Sequence, residues 1–304
     1  MRLSIAAALV LVGIGLWFFT APQTVAEQDL TAYLGDAAAG ERVFWAGGCA
    51  SCHATPVNGK RAKGADKLLL GGGMQLESPY GIFEVPNISP HADGIGGWSL
   101  LEFVNAMQRG VSPDGRHYYP SFPYTSYVKA PIEDIVDLKA YLDTLPKVAG
   151  ASKDHSLGFP WSVRRGLGAW KRIYLDPAPV LNTDNPDPLL EQGRALVEGL
   201  GHCGECHTPR DGLGGLQLDR WLGGAPGLEG KGSVPNITPA GENIASWSAK
   251  NIAYYLESGF TPDFDTVGGT MVAVQENMAR LTAEDRQAIA AYLKSVPAVD
   301  GSSD

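Results

Sequence analysis

All four cysteines of this 304-residue chain fall in two copies of one pattern, Cys49-Ala50-Ser51-Cys52-His53 and Cys203-Gly204-Glu205-Cys206-His207. Two thiols three positions apart reach the two vinyl groups on one edge of a haem. The histidine that follows then lies under the ring and offers an imidazole nitrogen to iron. Cys49, Cys52, Cys203 and Cys206 are therefore read as thioether donors, His53 and His207 as axial iron ligands, and the cofactors as two covalent haem c groups. A thioredoxin-like pair needs a flanking βαβ pattern, which is not seen. A zinc site would need both pairs together, yet they lie 154 positions apart. Disulfides would leave both histidines unexplained.

The motifs sit in an internal repeat. Val85-Pro86-Asn87-Ile88-Ser89-Pro90 recurs as Val234-Pro235-Asn236-Ile237-Thr238-Pro239, an offset of 149. The same offset relates Trp98-Ser99 to Trp247-Ser248, and Gly110-Val111-Ser112-Pro113-Asp114 to Gly259-Phe260-Thr261-Pro262-Asp263. Two homologous domains follow, at 36–147 and 188–298, with 148–187 as a linking strap and 1–26 as an N-terminal segment.

Each copy reads as helices joined by Gly/Pro loops. One helix runs up to each motif, over 37–45 and 189–200. Ser99-Leu100-Leu101-Glu102 is a capping box opening a helix that Gly110 closes; Ser248 and Gly259 bound its counterpart. Apolar positions at three- and four-residue spacing give a last helix over 132–145 and 283–296. No run of period-2 alternation stands out, so the fold class is mostly α: two tandem helical haem-wrapping domains after an apolar segment. Within the strap, Trp161 and Trp170 read as packing across both domains; the other reading makes Arg164, Arg165, Lys171 and Arg172 a basic patch for propionates or an acidic partner.

Ile5 to Phe19 is an unbroken run of apolar residues and glycine. It reads as a signal-peptide core or a short membrane anchor, with the balance towards an uncleaved anchor because Trp17-Phe18-Phe19 resembles an interfacial aromatic belt. Haem c in bacteria is attached outside the cytoplasm, so the expected location is periplasmic with a tether to the inner membrane. The formal net charge of −9 excludes a large nucleic-acid footprint.

A carrier haem usually has a second axial ligand, often Met. Met271, in a Gly-rich loop before the last helix, is assigned to haem 2. The 149 offset carries Met271 onto Phe122, which cannot bind iron. For haem 1 the alternatives stay open: Met74, His117, or an open or water-bound iron covered by Phe122. Met107 and Met278 read as packing residues, and His91, His155 and His202 as surface residues rather than ligands.

The two C-x-x-C-H motifs, the Pro-Asn-Ile-Ser/Thr-Pro loops, the Gly-Trp-Ser helix starts and Tyr119-Pro120-Ser121-Phe122-Pro123-Tyr124 resemble dihaem cytochromes c related to the cytochrome c subunits of bacterial alcohol and gluconate dehydrogenases. The resemblance covers nearly all of 36–298. It implies tandem cytochrome c domains, redox protein partners, and electron carriage from a dehydrogenase or quinol-oxidising complex towards an oxidase. Many relatives have Met at the position of Phe122, and dehydrogenase subunits often carry three haems where this chain has two motifs. No nucleophile–base pair or phosphate loop is evident, so an enzyme is not the first reading. The alternative is a haem enzyme or gas-binding protein acting at an open haem 1, peroxidase-like or thiosulfate-oxidising.

Overall fold

The apolar N-terminal run forms α1 (Arg2–Phe19), exposed from Ile5 to Phe19. The computed structural model describes residues 2–30, 33–181, 187–227 and 232–300, with side chains from residue 5. Among the described residues no helix is long and apolar enough to cross a membrane. After α1 the chain is built into the body: Val25 is buried and its N–H donates to Asn105 Oδ1 at 2.7 Å.

Asp36 caps α2 (Ala37–Ala46), accepting from the Ala38 and Ala39 amides. The first motif is the single turn α3 (Cys49–His53). A hairpin follows, β1 (Gln75–Ser78) and β2 (Gly81–Glu84), then α4 (Leu100–Arg109), the short α5 (Tyr124–Tyr127) and α6 (Ile132–Leu142). Both halves of the Ser99/Glu102 capping box form, and Gly110 ends α4 at φ +57°. A Cβ there would stand 2.4 Å from the Tyr124 ring.

The strap supplies β3 (Ser156–Leu157), which pairs antiparallel with β2, and α7 (Leu167–Tyr174). The second domain starts at Asp187, which caps α8 (Pro188–Arg194); a π-helical stretch, Ala195–Leu200, leads into the motif turn α9 (Gly204–His207). A two-strand ladder, β4 (Ala225–Pro226) with β5 (Ser233–Val234), precedes α10 (Glu242–Ser246), α11 (Ala249–Ser258), α12 (Met271–Met278) and α13 (Ala283–Ser295).

The fold is mostly helical, but the small sheets depart from expectation. Their strands have two to four residues, too short for an alternating pattern to register. Met271 also departs: it opens α12 rather than sitting in a loop.

In each domain the first and last helices cross at a glycine. A Cβ on Gly40 would stand 2.0 Å from Asp137 O, and one on Gly193 would stand 2.1 Å from Ala288 O. One apolar cluster runs through both domains, from Phe44, Val104 and Ile135 to Leu196, Ile252 and Ile289. Across the domain boundary Arg42 grips Asp285 with Nε at 3.0 Å and Nη2 at 2.6 Å, and Lys67 pairs with Glu276 at 2.6 Å. Trp161 packs on Tyr80 of domain 1, while Trp170 Nε1 donates to Leu213 O of domain 2, so the strap spans both.

Candidate haem sites

Each motif helix presents its histidine in the same way. His53 Nδ1 lies 2.9 Å from Pro86 O, and His207 Nδ1 lies 2.8 Å from Pro235 O. A carbonyl accepts only from N–H, so Nδ1 carries the proton and Nε2 keeps its lone pair for iron. Burial pushes both histidines below their ordinary value, partly opposed by these carbonyls, so both are neutral at pH 7. The histidine carbonyls are used as well: Gly72 N donates to His53 O at 2.9 Å and Gly224 N to His207 O at 2.8 Å.

The four cysteines are free of disulfides and partly buried. Burial pushes the Cys49 and Cys203 thiols up to about 12. A redox-active pair needs a depressed thiol, and burial here works in the opposite direction. Among the described residues no three His, Cys, Asp or Glu gather as a metal cluster. Two thiols flanking a pre-set Nε2 lone pair on one short turn fit a thioether-linked haem.

The Pro-Asn loops that supply the proline carbonyls are stapled from behind. Asn87 Nδ2 donates to Val148 O at 2.8 Å, and Asn236 Nδ2 donates to Val299 O at 2.7 Å. Each Asn Oδ1 accepts an amide two residues on, from Ser89 or Thr238, at 2.8 Å. Their amides thus serve packing.

The segments leading towards Phe122 and Met271 begin with matching hydrogen bonds. Val111 bridges His117 as Phe260 bridges Thr266. Tyr118 N donates to Gly110 O at 2.7 Å, and Val267 N donates to Gly259 O at 2.8 Å. The 149 offset therefore holds in the backbone as far as Tyr118 and Val267. Phe122 packs edge-on to Tyr118, Tyr124 and Tyr127. Met271 is partly buried against the core.

His117 is buried with Nε2 at 2.9 Å from Thr20 O, under the end of α1. Met74 lines a small cavity beside the motif turn with Ser51, Lys67 and Glu276. Met107 and Met278 are buried packing residues. His155 and His202 are half-buried and engaged by the backbone. His155 Nδ1 accepts from Glu84 N at 3.1 Å, and His202 Nε2 lies 3.3 Å from Gly47 O.

His202 belongs to a contact between the two motifs that sequence reasoning missed. The Gly47 carbonyl, two residues before Cys49, also faces Tyr127 Oη at 3.3 Å, and Tyr127 meets His202 edge-on at 5.8 Å. Ser51, inside the first motif, accepts from Asn277 Nδ2 at 2.7 Å. Glu205, inside the second, accepts from Thr125 Oγ1 at 2.8 Å and Ser126 Oγ at 3.0 Å, and pairs with Arg210. A charged residue within the second motif was the available signal.

Two tandem helical domains, each with a thiol pair and a neutral, backbone-oriented histidine on one short turn, define a covalent haem protein. The cytochrome c family pattern matches residues 37–146 and again 190–297, and the chain belongs to that family. It is 52% identical to a "Diheme cytochrome c-type" protein of Cereibacter sphaeroides over 99% of this chain and 100% of that protein. It is 38% identical to the "Fructose dehydrogenase cytochrome subunit" of Gluconobacter japonicus, over 82% of this chain and 50% of that subunit. It is 34% identical to the "Gluconate 2-dehydrogenase cytochrome c subunit" of Pantoea cypripedii, over 86% of this chain and 60% of that subunit. The chain thus spans about half to three-fifths of these dehydrogenase subunits. It is a dihaem cytochrome c that holds two covalently bound haem c groups, related to the electron-transfer subunits of dehydrogenases.

Proposed function

We propose that the protein carries electrons in the periplasm, from a dehydrogenase or quinol-oxidising complex towards an oxidase, without substrate chemistry of its own. The observation that supports this reading is the direct contact of the two motif regions through Gly47, Tyr127 and His202. Bound haem supplies the one-electron ferric/ferrous couple. The chain's own residues fix the ligand tautomers, bury the attachment edges and hold the two sites in one body.

We further propose Met271 as the sixth ligand of haem 2, with Phe122 at the matching place in domain 1. Thioether ligation favours ferrous iron. Met271→Ala should therefore lower the potential of one haem and erase a single ferric Met-to-iron band in the near infrared. Phe122→Met should add a second such band. A redox titration with optical spectra reads both; loss of the band from neither haem in Met271→Ala overturns the ligand assignment.

Phe122 also favours the second reading, in which haem 1 is open and binds a small molecule. Prompt spectral change of one haem with CO after reduction, or with cyanide when oxidised, supports that reading. No prompt change supports the pure carrier.

A further inference from the structure

Ile5 to Phe19 is apolar and no part of the body covers it, yet the end of this helix is firmly held. Thr20 Oγ1 accepts from Arg165 Nε at 3.0 Å, and Phe19 O accepts from Arg172 Nε at 3.3 Å. The Trp17 carbonyl accepts from Arg165 Nη2. The two guanidinium groups lie over rings of the same turn, Arg165 4.0 Å from the Trp17 centroid and Arg172 5.7 Å from the Phe19 centroid. On α7, Gly168 lets the backbone meet α1 directly, since a Cβ there would stand 2.2 Å from Thr20 O. The helix is thus docked onto the strap rather than hung from a loose tail.

The strap beside it has the complementary character. Residues 159–175 carry Arg164, Arg165, Lys171 and Arg172 and no acid, in a chain of net charge −9. Lys171 is buried, with Nζ on the Arg109 and Gly110 carbonyls, and Arg164 stacks on Tyr119. Arg165 and Arg172 remain at the α1 junction. Around them, large apolar side chains face outward: Phe159 is 85% exposed, Val163 53% and Ile173 66%. Exposed apolar residues interleaved with arginines, continuous with an uncovered apolar helix, match the interface of an anionic phospholipid bilayer.

We propose that the strap is a second membrane contact, lying in the headgroup layer beside α1 and setting the orientation of domain 1 to the membrane. The inference rests on the reading of α1 as a membrane tether outside the cytoplasm. Its occupant is a bilayer bearing anionic lipid. Val163 and Ile173 enter the interface while Arg165 and Arg172 sit at phosphate level.

Photolabelling tests it. The full-length, haem-loaded protein is reconstituted into phosphatidylcholine vesicles with and without phosphatidylglycerol, each holding a diazirine-bearing acyl chain. Adducts are then mapped by peptide mass spectrometry. Adducts on both α1 and residues 159–175, the latter increased by the anionic lipid, are expected. Val163→Glu combined with Ile173→Glu should remove most strap adducts and keep those on α1, with unchanged haem spectra showing an intact fold. Adducts on α1 alone in the wild type overturn the inference and leave the tether standing. Adducts on neither overturn both, and adducts on the strap alone refute the tether and, with it, a contact set beside α1.

Discussion

Removing Arg42 should cost the haem-loaded protein about 3 kcal/mol at pH 7. Arg42 lies on the first helix of domain 1, and its partner Asp285 lies on the last helix of domain 2. The Asp285 side chain is 1% exposed and that of Arg42 33%. Stripping one member from a buried pair costs about 3–5 kcal/mol, because the remaining charge keeps its desolvation penalty. The lower end applies here. Arg42→Ala still leaves Asp285 the Gln192 amide at 2.8 Å, the Thr282 hydroxyl at 2.9 Å, and water entering from the exposed arginine side.

The pH dependence follows from the same contacts. Burial raises the Asp285 carboxyl, but the hydrogen bond and charge of Arg42, helped by Gln192 and Thr282, outweigh it and hold the group below its ordinary value. A depressed carboxylate contributes stability that is fully present above its unfolded value of about 3.9 and is lost as pH falls through the folded value. The gap between wild type and Arg42→Ala should therefore be full at pH 7 and shrink towards pH 3. Thermal unfolding followed by the Soret band should fall by roughly 6 °C at pH 7. A variant within about 0.5 kcal/mol of wild type at pH 7, or a gap independent of pH, would refute this account of the interface.

Gly110→Ala should destabilise by about 2 kcal/mol or more, since it combines a left-handed φ with a 2.4 Å clash on the Tyr124 ring; denaturant midpoints measure it. Lys171 is a different kind of probe. Burial lowers its ammonium to about 7, so between that value and its unfolded value near 10.4 the unfolded chain binds the extra proton and wild-type stability should rise with pH. Lys171→Met should flatten that rise in denaturation series at pH 7 and pH 10.

The chemistry was legible wherever it is carried by residue identity at fixed spacing. Four cysteines and two histidines were enough for two haems, and capping residues such as Ser99 placed their helix starts. What escaped was carried by the absence of a side chain or by very short elements. Gly40 lies inside a capped helix, where it costs about 1 kcal/mol relative to Ala unless packing needs it. Its purpose shows only once Asp137 O is found 2.0 Å from where its Cβ would be. The strands at Gln75–Ser78 and Gly81–Glu84 hold four residues each, and β2 gains its second neighbour from the strap, far along the chain. Met271 read as a loop residue because of Gly268 and Gly269, but the helix starts just after Thr270, at Met271 itself.

The repeat also hides how its two copies meet, because the contacts fall where the copies differ. The motif offset of 154 places Ser51 opposite Glu205 and Gly48 opposite His202. Each of these positions faces the other domain. Ser51 and Gly48 meet Asn277 on α12, the helix that Met271 opens. Glu205 meets Thr125 and Ser126 on α5, two residues beyond Phe122, and His202 meets Tyr127. The distal segment of each domain is thus fastened to the attachment motif of the other. Such crossed fastening is expected to couple the two haem sites. Thr125→Val combined with Ser126→Ala should therefore act on the distant haem. It removes two donors from Glu205, which keeps Arg210, and leaves every expected ligand in place. The optical and paramagnetic signals of haem 2 should shift while those of haem 1 hold, because the freed carboxylate lies inside the second motif. A shift confined to haem 1, whose own domain carries both substitutions, would show that each site answers only to its own domain.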